Sequence, residues 1–224
     1  FKFYDHLPQV EGDAAGIAGI FDIDTGSRSE VDITSPSVDR YKLRQKYSNG
    51  VTAVTGWGVG GPVESYVVRL PSLTLGGLKE ESVVADLDGP HSGSMSDPNF
   101  LGNVGSGFLK RFVVTFDYAH QTMYLKPIVP PPADIGTFDR SGMWINASDD
   151  GYLVNSVSQH GPAADAGLQK GDVITAIDGR RVKPDQLATA RALLRTRPAG
   201  SKVTIDFKRG AEARHATVAR RDQI

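Results

Sequence analysis

The chain has 224 residues, 39% hydrophobic and 23% charged, with a formal net charge of −1. That length accommodates two modest domains, and a charge so near zero gives no footprint for nucleic acid or an acidic membrane surface. Cysteine is absent, which excludes disulfides, thiolate metal sites and a cysteine nucleophile; no run of about eighteen apolar residues is present to span a membrane.

The opening Phe1-Lys2-Phe3-Tyr4 lacks an initiator Met and reads as the start of a fragment or processed form. Phe1 to Tyr4 and Gly16 to Ile23 read as strands joined by a polar, glycine-containing loop. Period-two alternation puts Ile20, Asp22 and Asp24 on one face and Ile17, Gly19 and Phe21 on the other. Asp22 therefore shares the face of Asp24, and strand twist is expected to turn it out to solvent.

Ile23-Asp24-Thr25-Gly26-Ser27 follows the apolar entry Ile20, Phe21 and Ile23, and it is the stretch with the clearest chemistry. A carboxylate that activates water against a peptide carbonyl works beside a second carboxylate. Two so close cannot both ionise, so the pair shares a proton, and one acts as base while the other acts as acid. Gly26 permits the tight turn that presents Asp24, and the Thr25 hydroxyl can bond across to an equivalent loop. The same string is also ordinary turn chemistry. It occurs once, so the chain supplies half of such a site. The other half comes from a second copy or from another lobe.

Val31 and Ile33 continue extended. Ser35-Pro36 then reads as an N-cap with proline at the first helical position, opening a short amphipathic helix through Val38, Tyr41 and Leu43 that Asn49-Gly50 stops. Arg40, Lys42, Arg44 and Lys46 form its solvated face. Val51 to Leu75 is β-rich and carries the glycine-dense tip Gly56-Trp57-Gly58-Val59-Gly60-Gly61. Glycine costs a strand backbone entropy, so this density suits a mobile flap that closes on an extended peptide; a plain surface hairpin is the other reading. Trp57 either packs on the flap base or lines a subsite.

Ser82 to Leu87 reads as a strand, followed by a polar loop to Asn99 that holds His91. No ligand-spaced partner accompanies His91, His6, His120, His160 or His215, so all five read as surface residues. Phe100-Leu101-Gly102-Asn103 precedes the strand Val113 to Tyr118 and a last strand Met123 to Leu125. Glycine at 102 lets a strand thread close behind the Asp24 loop, with Leu101 and Gly102 as support.

Phe100-Leu101-Gly102-Asn103 leading to Val113-Val114-Thr115-Phe116-Asp117-Tyr118 resembles the closing segment of pepsin-type lobes. Gly58-Val59-Gly60-Gly61 is similar to the flap tip of retroviral proteases, and Ile23 to Ser27 matches the catalytic signature of both. The resemblance implies an acid-protease β lobe over residues 1–127, with Asp24, Thr25 and Gly26 catalytic and no metal or organic cofactor. Two departures stand out: Asn103 replaces the usual acid, and Gly105 and Gly107 lengthen the following loop.

Pro127 and Pro130-Pro131-Pro132 form a stiff, extended spacer, so residues 128–134 read as a linker. Beyond it, Gly151 to Val157 and Gly171 to Ile177 are strands, Gly161 to Leu168 and Pro184 to Arg195 helices, and Lys202 to Phe207 with His215 to Ala219 a hairpin. Gly161-Pro162-Ala163-Ala164, Ala166-Gly167-Leu168, Gly171-Asp172-Val173-Ile174 and Ile177-Asp178-Gly179 resemble a PDZ domain of the bacterial protease-associated kind, over residues 135–224. That implies a groove taking an extended peptide by strand addition, its carboxylate held in a backbone nest. By position Ser141-Gly142-Met143-Trp144-Ile145 forms the carboxylate loop and receiving strand. Met143-Trp144 instead blocks the groove or packs on the protease lobe if the altered loop does not bind.

The expected fold class is thus mainly β: a retropepsin-like lobe plus an α+β PDZ domain. Two functions follow. One is an aspartic endopeptidase acting on protein or peptide substrates, paired with an identical chain or a distinct N-terminal lobe, whose PDZ groove binds a peptide ligand for recruitment or regulation. The other is a catalytically silent lobe with a scaffolding PDZ domain. The second resemblance implies a cell-envelope or periplasmic location; the charge balance speaks against a nucleic acid partner and the lack of a long apolar run against a transmembrane segment.

Overall fold

The structure is a computed structural model that describes residues 1–58, 60–90 and 93–224. The chain divides into two compact units, Phe1–Gly50 with Thr55–Gly136, and Val51–Val54 with Thr137–Ile224.

The first unit is a sheet built from β1 (Lys2–Tyr4), β2 (Leu7–Ala14), β3 (Ile17–Asp24), β4 (Val31–Ile33), β5 (Val51–Gly58, of which residues 55–58 belong to this unit), β6 (Gly61–Leu75), β7 (Leu78–Leu87) and β8 (Gly102–Gly105). Short helices α1 (Ser35–Arg40), α2 (Leu43–Lys46) and α3 (Ser106–Leu109) and the hairpin β9 (Phe112–Asp117) with β10 (Thr122–Pro127) complete it. The spatial order is β1-β2-β3-β8-β4-β7-β6-β5. The stretch expected as a polar loop after Tyr4 is mostly strand: Gln9 to Ala14 pair with Ile17 to Asp22 in an antiparallel ladder, and Gly12 to Ala14 also meet β6. Backbone pairing on both sides outweighs the low apolar content of Gln9-Val10-Glu11-Gly12-Asp13.

The single amphipathic helix expected after Ser35 is two pieces, because Lys42 adopts a left-handed conformation between them (φ 52°). Its N-cap is Thr34 rather than Ser35; the Thr34 hydroxyl donates to Ser37 Oγ at 2.8 Å. Val38 and Leu43 still face inward, and Arg40, Lys42, Arg44 and Lys46 are exposed, as the apolar spacing requires. The core gathers Phe21, Ile23, Val31, Ile33, Leu70, Leu87, Val104 and Phe108 around the β3-β8-β4 centre. Each such side chain stabilises by about 1.5–3 kcal/mol when fully buried.

The proline-rich stretch is bonded along the first unit. Ile128 N–H donates to the Arg111 carbonyl at 2.8 Å, and Lys110 Nζ meets Asp134 Oδ2 at 2.7 Å.

The second unit holds β11 (Met143–Ser148), β12 (Gly151–Val157), β13 (Val173–Ile177), the two-residue β14 (Arg180–Arg181), β15 (Lys202–Arg209) and β16 (Glu212–Ala219), with α4 (Pro162–Asp165) and α5 (Leu187–Thr196). Its sheet runs β11-β12-β13-β15-β16, so β11 is an edge strand. Tyr152, Val154, Ile174, Ile205 and Leu194 form its core. Asp172, 1% exposed, locks the turn before β13 by accepting from Gln169 N–H and from Arg209 Nε and Nη2 at 2.8 to 2.9 Å.

Candidate active site

Asp24 is the last residue of β3. The chain then loops through Thr25 to Glu30 and returns as β4, and β8 runs between the two, parallel to β3 and antiparallel to β4. Inserting a strand there demands that it carry almost no side chain where the loop crosses it. A Cβ at Gly102 would strike the Asp32 carbonyl, one at Gly105 the Ser29 carbonyl, and one at Gly107 the Arg28 carbonyl at 2.7 Å. Leu101 secures the entry to this strand, donating to the Ile20 carbonyl at 2.7 Å and accepting from Thr34 N–H at 3.1 Å. Gly102, Gly105 and Gly107 thus lie directly against the backbone of residues 28–32, and Leu101 is bonded to both β3 and the residue after β4.

The loop is clamped from below. Ser106 donates to the Ser27 carbonyl through both its N–H (2.8 Å) and its Oγ (2.6 Å), Gly107 N–H reaches the Ser29 carbonyl, and Gly105 N–H the Glu30 carbonyl. Asp24 Oδ1 accepts from Gly26 N–H at 2.8 Å. The Asp24 side chain is half-buried, while Thr25 and Gly26 are exposed, so the loop offers its acid at a surface. Asp22 departs from expectation: it is 6% exposed rather than turned to solvent, because Gln9 Nε2 across the β2–β3 ladder donates to its Oδ1 at 2.8 Å. Burial raises its carboxyl pKa, the Gln9 bond opposes this, and the charges of Asp97 and Asp24 add to the rise.

A second acidic layer lies behind the loop, and sequence reasoning missed it. Asp32 and Asp86 sit opposite each other on β4 and β7. Burial raises both pKa values, Asp86 well above the carboxylate range, and the neighbouring Asp32 charge adds to the rise at Asp86. Ser29 Oγ donates to Asp86 at 2.8 Å, while Ser27 Oγ and Asn103 Nδ2 donate to Asp32 at 3.4 and 3.3 Å. Asn103, the departure from the pepsin-type acid, thus serves as a donor to this pair. Asp88, pushed up to about 7 by burial and then by the Asp32 charge, extends the layer and accepts from Ser65 Oγ at 3.1 Å.

The end of the loop is anchored by Glu30, 8% exposed. Its Oε1 receives Arg111 Nη2 at 2.9 Å and Gly136 N–H at 2.8 Å, and its Oε2 receives Val84 N–H at 2.8 Å. Fifty-four residues or more separate Glu30 from each of these partners, so no local pattern announces them.

The flap expectation falls on the β5–β6 hairpin. Trp57 is 52% exposed, Gly58 and Gly60 are exposed and Gly61 is half-buried; Val59 lies outside the described residues, as does His91. A Cβ at Gly58, Gly60 or Gly61 meets no heavy atom within 4 Å. Among the described residues these glycines therefore have no packing partner at that point, and their effect is on the backbone, clearest at Gly61 with φ +108°.

In the second unit, Ser141 and Gly142 form the loop before β11, and Met143, Trp144 and Ile145 begin that edge strand alongside α5. Met143 and Ile145 point into the core, and Trp144 stacks beneath the Arg191 guanidinium, 4.6 Å from its ring centre.

The family model of the PDZ domain matches residues 153–209. No curated protein matches the chain. Among solved structures, similarity is found to a photosystem II D1 C-terminal processing protease (27% identity, 38% of this chain and 23% of that one, TM-score 0.35). It is found also to the PDZ domain of a carboxy-terminal protease from Vibrio cholerae in complex with peptide (26%, 38% and 95%, TM-score 0.33). A third is a retropepsin-like aspartic protease from Rickettsia conorii (14%, 52% and 80%, TM-score 0.37). The chain spans under a quarter of the first of these. The fold class is mainly β, as expected, and the PDZ family match lies within the second unit.

Proposed function

We propose that residues 1–127 are one lobe of an aspartic endopeptidase, joined through residues 128–134 to a PDZ domain over residues 135–224 that receives a peptide for recruitment or regulation. The observation that carries this reading is the passage of β8 between β3 and β4, which wedges Gly105 and Ser106 beneath the Asp24 loop and holds a half-buried carboxylate at a surface.

One carboxylate is half a catalyst, and an identical chain supplies the second Asp24. The pair shares one proton. The ionised member takes a proton from water as the water attacks the scissile carbonyl, and the protonated member gives its proton to the carbonyl oxygen; the roles reverse as the amine leaves. Thr25 bonds across to its counterpart, and the glycine-rich hairpin from Trp57 to Gly61 covers the substrate and excludes water. Support for self-pairing comes from an exposed aromatic group: Phe3 and Tyr118 are 49% and 62% exposed, stack at 6.0 Å, and both meet Phe1 edge-on. A cell-envelope location follows the resemblance alone; among the described residues no helix is long and apolar enough to cross a membrane.

The test is cleavage of an unfolded protein from acidic to neutral pH. Cutting by the wild type that is lost in Asp24→Asn is the expected result. Equal cutting by both proteins would overturn the assignment of Asp24, and no cutting by either would favour a distinct second lobe or the silent scaffold.

A further inference from the structure

The peptide-binding reading of the second unit gives the loop before β11 the task of holding a ligand's carboxylate. That loop already holds one. Asp139 Oδ2 accepts from the N–H groups of Ser141 (2.9 Å) and Gly142 (2.6 Å), and the Ser141 hydroxyl donates to both Asp139 oxygens at 2.9 Å. Each N–H carries one proton, so donors aimed at Asp139 are not available to a ligand. The loop is also closed in from the side. Gly142 sits at φ +72°, and a Cβ there would meet Pro162 Cδ at 2.9 Å and Gln223 Oε1 at 3.1 Å, while Gln223 Nε2 donates to the Asp139 carbonyl at 2.7 Å.

Strand addition needs a second feature, an edge strand with free backbone groups. The Ile145 carbonyl of β11 is directed at α5, where Arg191 Nε and Nη2 donate to it at 3.1 and 2.7 Å. Arg191 Nη2 and Trp144 Nε1 both donate to Asn146 Oδ1, at 2.6 and 2.9 Å, and the guanidinium lies over the indole. A planar, stacked guanidinium with a forked donor set is pre-organised in that position, unlike a freely rotating lysine.

We propose that this groove is occupied by its own chain: Asp139 stands where the C-terminal carboxylate of a peptide would sit, Arg191 caps the edge carbonyl that the peptide backbone would bond, and the unit is closed to C-terminal peptides until both are displaced. The proposal rests on the peptide-binding reading, and it makes the groove a latch rather than a standing receptor. Both contacts lie within the second unit, so closure needs no other part of the chain.

The experiment compares the full chain with the double variant Asp139→Ala/Arg191→Met. The probes are two dye-labelled pools of random octapeptides, one with free C-terminal carboxylates and one amidated. The double variant is expected to retain the free-carboxylate pool at least about tenfold more than the wild type does, and more than it retains the amidated pool. Wild type that holds the free-carboxylate pool as firmly as the variant would overturn self-occupation and leave the peptide-binding reading standing. A folded double variant that holds neither pool overturns both, and one that holds both pools equally removes Asp139 as the carboxylate's stand-in. Amide NMR on the wild type gives a readout independent of the variant's folding. The Ser141 and Gly142 N–H resonances are expected to move together as Asp139 titrates, and resonances indifferent to that titration would contradict the nest contacts.

Discussion

Two loops in this molecule are built alike and aimed oppositely. In Asp24-Thr25-Gly26 and in Asp139-Arg140-Ser141-Gly142, a carboxylate folds back on N–H groups two or three residues further on. The first keeps one such bond and stands half-buried beside exposed neighbours; the second is bonded by both the Ser141 and Gly142 N–H groups and by a hydroxyl, and burial still pushes it up to about 6. Turn chemistry alone therefore does not distinguish these two carboxylates. What differs is the support: backbone donors and glycines beneath the Asp24 loop press its acid outward, while the donors of the other loop draw theirs in.

The largest effect expected from breaking this contrast is catalytic. Asp24→Asn should lower cleavage by about 10²–10⁴-fold, the usual worth of a positioned acid–base group, with the melting temperature unmoved. A large loss of stability in that variant would mean that Asp24 is stored like Asp139 rather than presented.

Next comes the anchor of the outward loop. Glu30→Ala leaves Arg111, 4% exposed, without its buried partner, and should destabilise the fold by about 3–5 kcal/mol in a denaturant titration. A loss below about 1 kcal/mol would show that Glu30 is not what secures the loop.

A smaller and graded effect is expected from pH. Asp32, Asp86, Asp88 and Asp139 all have pKa values raised on folding, so each favours the folded state fully below its ordinary carboxylate value. Each loses that contribution as pH rises through its folded-state value, about 6 for Asp139 and about 7 for Asp88. Asp97, Asp117 and Asp172, whose values are lowered, act in the opposite sense only as pH falls through the carboxylate range. The melting temperature should therefore decline from about pH 5 to about pH 8, and Asp88→Asn should flatten the upper part of that decline. A profile flat over this interval would contradict the buried acidic layer.

Much of this was legible in the sequence because it is local. Asp24-Thr25-Gly26, the glycine at 102, the alternation through β3 and the Gly-Asp-Val-Ile string of the second unit are each set by a few adjacent residues. What was not legible is tertiary. Asp86 meets Ser29 across 57 residues, Arg111 meets Glu30 across 81, and Arg191 reaches Ile145 across 46. Asp22 read as solvent-facing because its partner, Gln9, lies on a strand whose polar composition disguised it as a loop. The two residues of the proposed self-occupation were not singled out in the sequence, since Asp139 lies outside the altered motif and Arg191 lies on a helix.

The central claim is that this chain carries one half of a shared active site. Its most direct test is a mixing experiment, in which cleavage by a fixed amount of wild type is followed as folded Asp24→Asn protein is added in excess. If two chains pair to make the site, activity should fall toward zero as mixed pairs replace wild-type pairs, and specific activity of the wild type alone should rise with its concentration. Activity that holds constant through both titrations would contradict the claim and show that one chain cuts without a partner copy.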